Sequence, residues 1–355
     1  MKLILTGDVN LMNVTDSAVP FARVKDALND ALVFSNFECC LFDPGGHSFH
    51  NEGFYAHPGP GGAALKLAGI DAVGISNNVN YGEAAILASI RRLDELGVAH
   101  TGAGRNLAAA RAAAVVKRDE VTCGFLQRSS VYWPTNHEAG EQATGIAVIR
   151  GHTAYHVPMH KTRPEIPPPN RPGVPPEIVT WADKAYLRAF ADDLEALHQR
   201  ADIVVASCHW GLGHEVLAYM TEIAHAAIDA GAHIVMGHGP HYSLPVEVYK
   251  GRSIFYGLGS FSFHRPRRPP ARRLARHDGA GRGGAKRRHR HELSVRAPQR
   301  CQRDRAVRTR QRARGLRRSG APQRRAGREA HRRRGRSAGR TSSLTSLPYS
   351  SGTRS

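Results

Sequence analysis

One pairing recurs along this sequence and constrains its fold more than any other feature. A short apolar run without alternation is followed at once by a polar residue able to bind a ligand. It occurs at residues 2–6 before Gly7-Asp8, 31–35 before Asn36-Phe37-Glu38 and 72–75 before Ser76-Asn77-Asn78. It returns at 203–207 before Cys208-His209-Trp210 and at 234–236 before Gly237-His238. Residues 121–126 and 253–257 are runs of the same character. Runs this short and this apolar suit strands covered on both faces. Between them lie helical patterns. Residues 82–96 carry apolar side chains at helical spacing and stop at Gly97, 219–230 stop at Gly231, and 181–198 behave likewise. Strands alternating with helices imply an α/β fold.

In an open α/β sheet the carboxyl ends of the strands form the ligand crevice. Asp8, Glu38, Asn78, His209 and His238 each come at that end of an expected strand. An oxygen- and nitrogen-rich set of this kind suits Mn, Fe or Zn more than Ca, and is no thiolate site. His241 follows in Gly237-His238-Gly239-Pro240-His241, where glycine and proline favour a tight turn that brings both imidazoles to one cavity. Taken singly, each residue has a structural reading: an Asp after a strand often caps the next helix, and a lone His is usually a hydrogen-bonded core residue. The repetition of the placement is what points to chemistry. His47, His50, His57, His152, His156, His160, His214, His225 and His233 lack it. His225 sits at core-like helical spacing. His214 and Glu215 follow the His209-Trp210-Gly211 turn and are candidates to hydrogen-bond the ligands. Gly59–Gly62 follows no expected strand, and Gly102-Ala103-Gly104 lacks the dinucleotide-binding pattern. No GxSxG elbow is present, and Ser260 lies within a strand-like segment.

Charge divides the chain. Residues 1–264 hold 20 Lys+Arg and 26 Asp+Glu, a net of −6, and residues 265–355 hold the remaining 30 and 4, a net of +26; together these give the +20 of the whole. The basic excess thus belongs to a tail without apolar periodicity, for which disorder is expected. Two readings of it stay open: a nucleic-acid-binding arm, poor in stacking aromatics, or the product of a shifted reading frame. Eight prolines in residues 157–176 mark a long extended surface loop. Five cysteines, Cys39, Cys40, Cys123, Cys208 and Cys301, form no CxxC pair, which argues against a disulfide framework. No stretch is apolar enough for a signal core or membrane span. A cytoplasmic location is the expectation.

The block from His209 to Phe263, HWGLGHEVLAYMTEIAHAAIDAGAHIVMGHGPHYSLPVEVYKGRSIFYGLGSFSF, resembles the signature of the CapA family of poly-γ-glutamate capsule synthesis proteins. The family pattern is HWG with a nearby Glu, a helix ending in DAGAD, GHHPH, a Glu-bearing strand and YSLGNF. TGDVNL, Ser35-Asn36-Phe37-Glu38 and Ser76-Asn77-Asn78 resemble its GDV, NLE and ANNH motifs, so the resemblance covers residues 1–264. It implies a four-layer αββα sandwich of calcineurin-like metallophosphoesterase type. It also implies a site for two divalent metals using Asp8, Glu38, Asn78, His209, His238 and His241, with Asn10 where the superfamily has the His of Asp-x-His. Asp8, Asn78 and His209 would be the catalytic residues. The implied activity is metal-dependent hydrolysis of a phosphoester or a glutamyl amide, on a small-molecule or polyanionic polymer substrate. The alternatives are a non-catalytic polymer- or nucleotide-binding protein on the same fold, or nucleic-acid binding through the tail. The sequence departs from the family at Val79, where the family has His, at Gly239 within GHHPH and at His233 within DAGAD.

Overall fold

The structure, a computed structural model, describes residues 1–45, 52–158, 165, 167, 170 and 172–264. Expectations for His47, His50, His160, Cys301, much of the proline-rich loop and the whole basic tail lie outside the described residues.

The chain opens with strand β1 (Lys2–Asn10), the short helix α1 (Lys25–Leu28) and β2 (Ala31–Phe37). Two-residue strands β3 (Cys40–Leu41) and β4 (Tyr55–Ala56) precede α2 (Pro58–Leu67), β5 (Ala72–Gly74), α3 (Glu83–Leu96), β6 (Ala99–Thr101), β7 (Ala103–Gly104) and α4 (Leu107–Arg111). Then come β8 (Ala114–Arg118), β9 (Val121–Ser129), β10 (Gly145–Ile146), β11 (Gly151–His156) and β12 (Glu177–Ala182). The last part runs α5 (Lys184–His198), β13 (Ile203–His209), α6 (Ala218–Asp229), β14 (Ile234–His238), β15 (Val246–Tyr249), β16 (Arg252–Phe255) and β17 (Ser260–Phe263).

Two sheets carry the architecture. The first has the order β17-β1-β2-β5-β6, with every pair parallel. The second has the order β15-β16-β14-β13-β9-β8; its central four strands are parallel and its two edge strands antiparallel. Leu32, Phe34 and Ala72 of the first sheet share one buried cluster with Phe125, Val205 and Met236 of the second. The Phe34 and Phe125 rings stack there with centroids 4.4 Å apart. The opposite face of the first sheet packs Val33 and Val73 against Leu65 of α2 and Ile86 and Leu93 of α3. The opposite face of the second packs Val204 and Ala206 against Phe190 and Leu194 of α5 and Met220 and Ile223 of α6.

The inner face changes character along each strand with a period of two. Leu32 and Phe34 lead to Asn36, Cys123 and Phe125 to Gln127, Val205 and Ser207 to His209, and Met236 to His238. The apolar half holds the sheets together, and the polar half appears where the strands reach their carboxyl ends. β1 joins this face through a fault in register: Thr6 pairs with Ser35 but Asp8 with Asn36, so Gly7 is an extra residue. By strict alternation Asp8 would follow Thr6 away from the other sheet; the bulge turns it inward. Only glycine fits at the bulge, since a Cβ there would stand 1.8 Å from the Gly259 carbonyl oxygen.

Four expectations change. Residues 181–183 are not helical: Asp183 caps α5 by accepting from Ala185 N and Tyr186 N, and the preceding residues pair as a ribbon, β11 with β12. The strand expected at 121–126 runs on to Ser129, and the one expected at 253–257 ends at Phe255. Gly59–Gly62 does follow a strand, β4, and lies in α2, where His57 caps the helix and a Cβ at Gly62 would meet Leu96 Cδ1 at 2.8 Å.

Candidate functional site

Register brings the site together. Asp8 pairs with Asn36 across β1 and β2, and His209 with His238 across β13 and β14. The facing inner surfaces then set the two pairs against each other. Asp8 is fully buried; its Oδ1 accepts from Asn36 Nδ2 at 2.8 Å, and its Oδ2 lies 2.8 Å from His241 Nδ1. His241 reaches this position from a left-handed backbone, φ 64°, after Gly239 and Pro240. Its Nε2 is 3.7 Å from Glu38 Oε1. His238 Nδ1 lies 3.8 Å from Asp8 Oδ1 and 3.1 Å from His209 Nδ1. The donor atoms form two tight groups, Asp8–His209–His238 and Asp8–Glu38–His241, each with all its atoms within 4.8 Å of one another. Asp8 belongs to both.

The lone pairs show that these groups fit a cation. Asn78 Oδ1 only accepts, so His209 Nε2, 2.9 Å away, carries the ring proton. His209 Nδ1 then keeps its lone pair, which faces His238 Nδ1 at 3.1 Å. Two carboxylates and three imidazoles at one rim are a donor set for a hard-to-borderline divalent ion.

Electrostatics agree. Burial, with repulsion from His238, holds the His209 imidazole down at about 3. Burial, with repulsion from His241, outweighs the pull of Asp8 and holds His238 at about 4. Burial pushes the Asp8 carboxyl up, but the His241 hydrogen bond and the neighbouring imidazoles outweigh it and leave it below the ordinary carboxylate value. At neutral pH the Asp8–His209–His238 group therefore presents an anion and neutral nitrogen donors. His137, also buried, is held at about 4. From the ordinary histidine value of 6.5 down to these folded values, the unfolded chain binds protons that the native one refuses. This contribution is complete above 6.5 and is lost as pH falls. Metal-free protein should lose roughly 2 kcal/mol per buried histidine between pH 7 and 5. Denaturant midpoints at the two pH values test this; equal midpoints would refute it.

A surrounding frame of polar side chains holds the ligands. Gln127 Nε2 donates to Asn36 Oδ1 at 2.8 Å and lies 3.1 Å from His238 Nε2, while its Oε1 accepts from Ser76 N. Ser207 Oγ is 2.8 Å from His238 Nε2. Asn77 bridges Asn36 and the Phe37 carbonyl. Sequence reasoning gave Gln127 and Ser207 no role; their signal is a polar residue at an inward position of an apolar strand.

Six of the seven expected ligands are thus brought together: Asp8, Glu38, Asn78, His209, His238 and His241. Asn10 is buried beside them, where its Nδ2 donates to the Glu38 carbonyl and its Oδ1 accepts from Met12 N, both at 2.9 Å. His214 and Glu215 are exposed, with the His214 ring tilted against that of Tyr242. His225 pairs with Glu247 at 2.8 Å. Cys39, Cys40, Cys123 and Cys208 are buried free thiols.

Two facing sheets with this carboxylate–imidazole rim define an α/β protein with a candidate site for divalent cations. Comparison with known sequences gives the family. The profile described as "Bacterial capsule synthesis protein PGA_cap" matches residues 2–265, and the chain belongs to that family, the CapA family. An uncharacterized Sinorhizobium fredii protein, y4sH, is 27% identical over 292 residues, covering 70% of this chain and 62% of its own. The PGA biosynthesis protein CapA of Bacillus subtilis is 41% identical over 96 residues, 26% of this chain and 23% of its own. The "Probable polyglutamine synthesis accessory protein" of Mycobacterium tuberculosis is 27% identical over 192 residues, 52% of this chain and 43% of its own. The chain therefore spans less than two thirds of these relatives. No helix among the described residues is long and apolar enough to cross a membrane.

Proposed function

We propose that residues 1–264 form a four-layer αββα sandwich of metallophosphoesterase type and act as a metal-dependent hydrolase in poly-γ-glutamate capsule synthesis. The substrate is a phosphoester or a glutamyl amide of a polyanionic polymer. One observation carries this reading: two ligand groups share a single buried carboxylate, Asp8. Asp8, His209 and His238 would hold one cation and Asp8, Glu38 and His241 the other, with Asn78 as a neutral oxygen beside the first. Mn, Fe and Zn suit these donors.

Bound divalent ions supply Lewis acidity towards a substrate oxygen and acidify a water. The chain does the rest. Asn36 and His241 fix the two oxygens of Asp8. Asn78 fixes the ring of His209, and Ser207 and Gln127 that of His238, so no reorientation is needed at the moment of reaction. His241, half-exposed, is the imidazole that meets solvent and incoming substrate. Buried free thiols fit a reducing, cytoplasmic compartment as part of the same proposal.

Val79 favours a second reading. It is a buried aliphatic residue directly after Asn78 and cannot move a proton. On that reading the protein binds a polymer or nucleotide without turning it over. A panel of phosphoesters and glutamyl amides, assayed with added Mn, separates the two. Turnover that disappears on chelation supports the hydrolase; tight binding without turnover across the panel supports the binding protein. The nucleic-acid alternative rests on the tail, and removing residues 265–355 should abolish any salt-dependent DNA affinity if it holds.

A further inference from the structure

The loop after β9 does something the ligand pattern does not explain. It leaves the second sheet at Ser129 and lies across the Asn77–Tyr81 turn of the first. Three side chains tie the two segments together. Trp133 Nε1 donates to the Asn78 carbonyl oxygen at 2.9 Å. His137 Nε2 lies 3.0 Å from the Asn80 carbonyl oxygen, and Tyr81 Oη donates to the Thr135 carbonyl oxygen at 3.1 Å. The strap also closes on itself, since Trp133 N donates to His137 Nδ1 at 3.0 Å.

His137 is 1% exposed, and each ring nitrogen has one task. Nδ1 accepts, so Nε2 carries the proton and donates to Asn80. The Tyr81 ring packs on it edge-on, with centroids 5.0 Å apart. Trp133 is the opposite case: its indole N–H is committed to Asn78 while the residue stays 42% exposed. An exposed tryptophan held by its own N–H beside a candidate ligand is not core packing.

We infer that Trp133 and His137 are positioning residues: the strap from residue 130 to 138 clamps Asn78 so that its side-chain oxygen stays on His209, and it forms the aromatic wall of the site. The inference rests on the metal-site reading for its consequence, but not for its geometry. Asn78 lies in a turn, outside any strand, and is only partly buried. Its side chain is aimed by the backbone that carries it. Two carbonyls of that backbone, those of Asn78 and Asn80, are held by the strap. Without the strap the turn swings and the His209 ring loses the acceptor that sets its tautomer.

The test has two arms on the full chain. In the first, metal-free protein is labelled with 15N at Asn and Trp. Trp133→Phe keeps the ring and removes only the indole donor. The Asn78 side-chain amide pair should move towards the position of a freely rotating amide, while the melting temperature stays within about two degrees. His137→Ala should move the same amide pair, with a lower melting temperature because it empties a buried site, and His137→Gln, which keeps a donor for Asn80, should restore most of the native shift. In the second arm Mn is added alone. The Trp133 indole signal should broaden before those of Trp181 and Trp210, and Trp133→Phe should weaken Mn binding about fivefold, the equivalent of one hydrogen bond. Unmoved Asn78 amides in Trp133→Phe and His137→Ala would overturn the inference whether or not metal binds. Failure of the native protein to bind Mn, with the amide shifts as expected, would leave the clamp standing and sink the metal centre.

Discussion

His209→Ala combined with His238→Ala should abolish binding of Mn or Zn at the Asp8–His209–His238 group and leave at most the ion held by Asp8, Glu38 and His241. Removing a partner that merely orients a ligand costs about 10- to 100-fold in affinity. Removing two nitrogen donors from the Asp8–His209–His238 group should therefore weaken binding by well over about 100-fold. The group would keep Asp8 and no nitrogen. Metal content of the purified double variant, measured after equilibration with micromolar Mn, is the direct readout. Both imidazoles are buried, so circular dichroism must first show that the variant is folded. A folded double variant with native metal content would rule out the site.

The largest stability effect should come from the stacked rings between the sheets. Phe34→Ala removes one partner of a parallel stack whose centroids are 4.4 Å apart, and both residues are fully buried. Losing a core phenylalanine costs about 3–5 kcal/mol, of which the ring–ring contact is about 0.5–1.5 kcal/mol. For a domain of this size each kcal/mol lowers the melting temperature by about 2–4 °C, so a fall of roughly 10 °C is expected. Phe125→Ala should cost a similar amount, and the double variant less than the sum, because both changes empty the same contact. A loss below about 1 kcal/mol for Phe34→Ala would mean that the sheets are held together elsewhere.

The strand ends were legible because burial on both faces leaves a run without polar interruption, and Asp8, Glu38, His209 and His238 break such runs where a crevice must lie. Asn36, Gln127 and Ser207 were not legible as a frame for the ligands. They sit inside strands, and only the pairing of two sheets shows that their shared parity points them at the same rim. Asn10 was carried by analogy to a motif; its amide turned out to be bound to the Glu38 carbonyl and Met12 N. The β11–β12 ribbon escaped notice because its pairing is closed across the proline-rich loop, with residues such as Tyr155 and Ile178 opposite each other at the surface. Trp181 and Ala182 then read as the start of a helix. Trp133 and His137 carry no local signal, since their partners, Asn78 and Asn80, lie more than fifty positions away.

The extra residue at Gly7 gives the site an arithmetic of its own. His209 and His238 are reached by counting in twos along their strands; Asp8 is reached by counting in twos and adding one. The shared carboxylate is thus written into the chain as an odd step. Straightening the bulge without removing a residue would leave the apolar core of β1 intact and turn the carboxylate to the helix side of the sheet. Foldedness and function in this stretch answer to different features of the same residues: one to their composition, the other to where the strand takes in its extra residue.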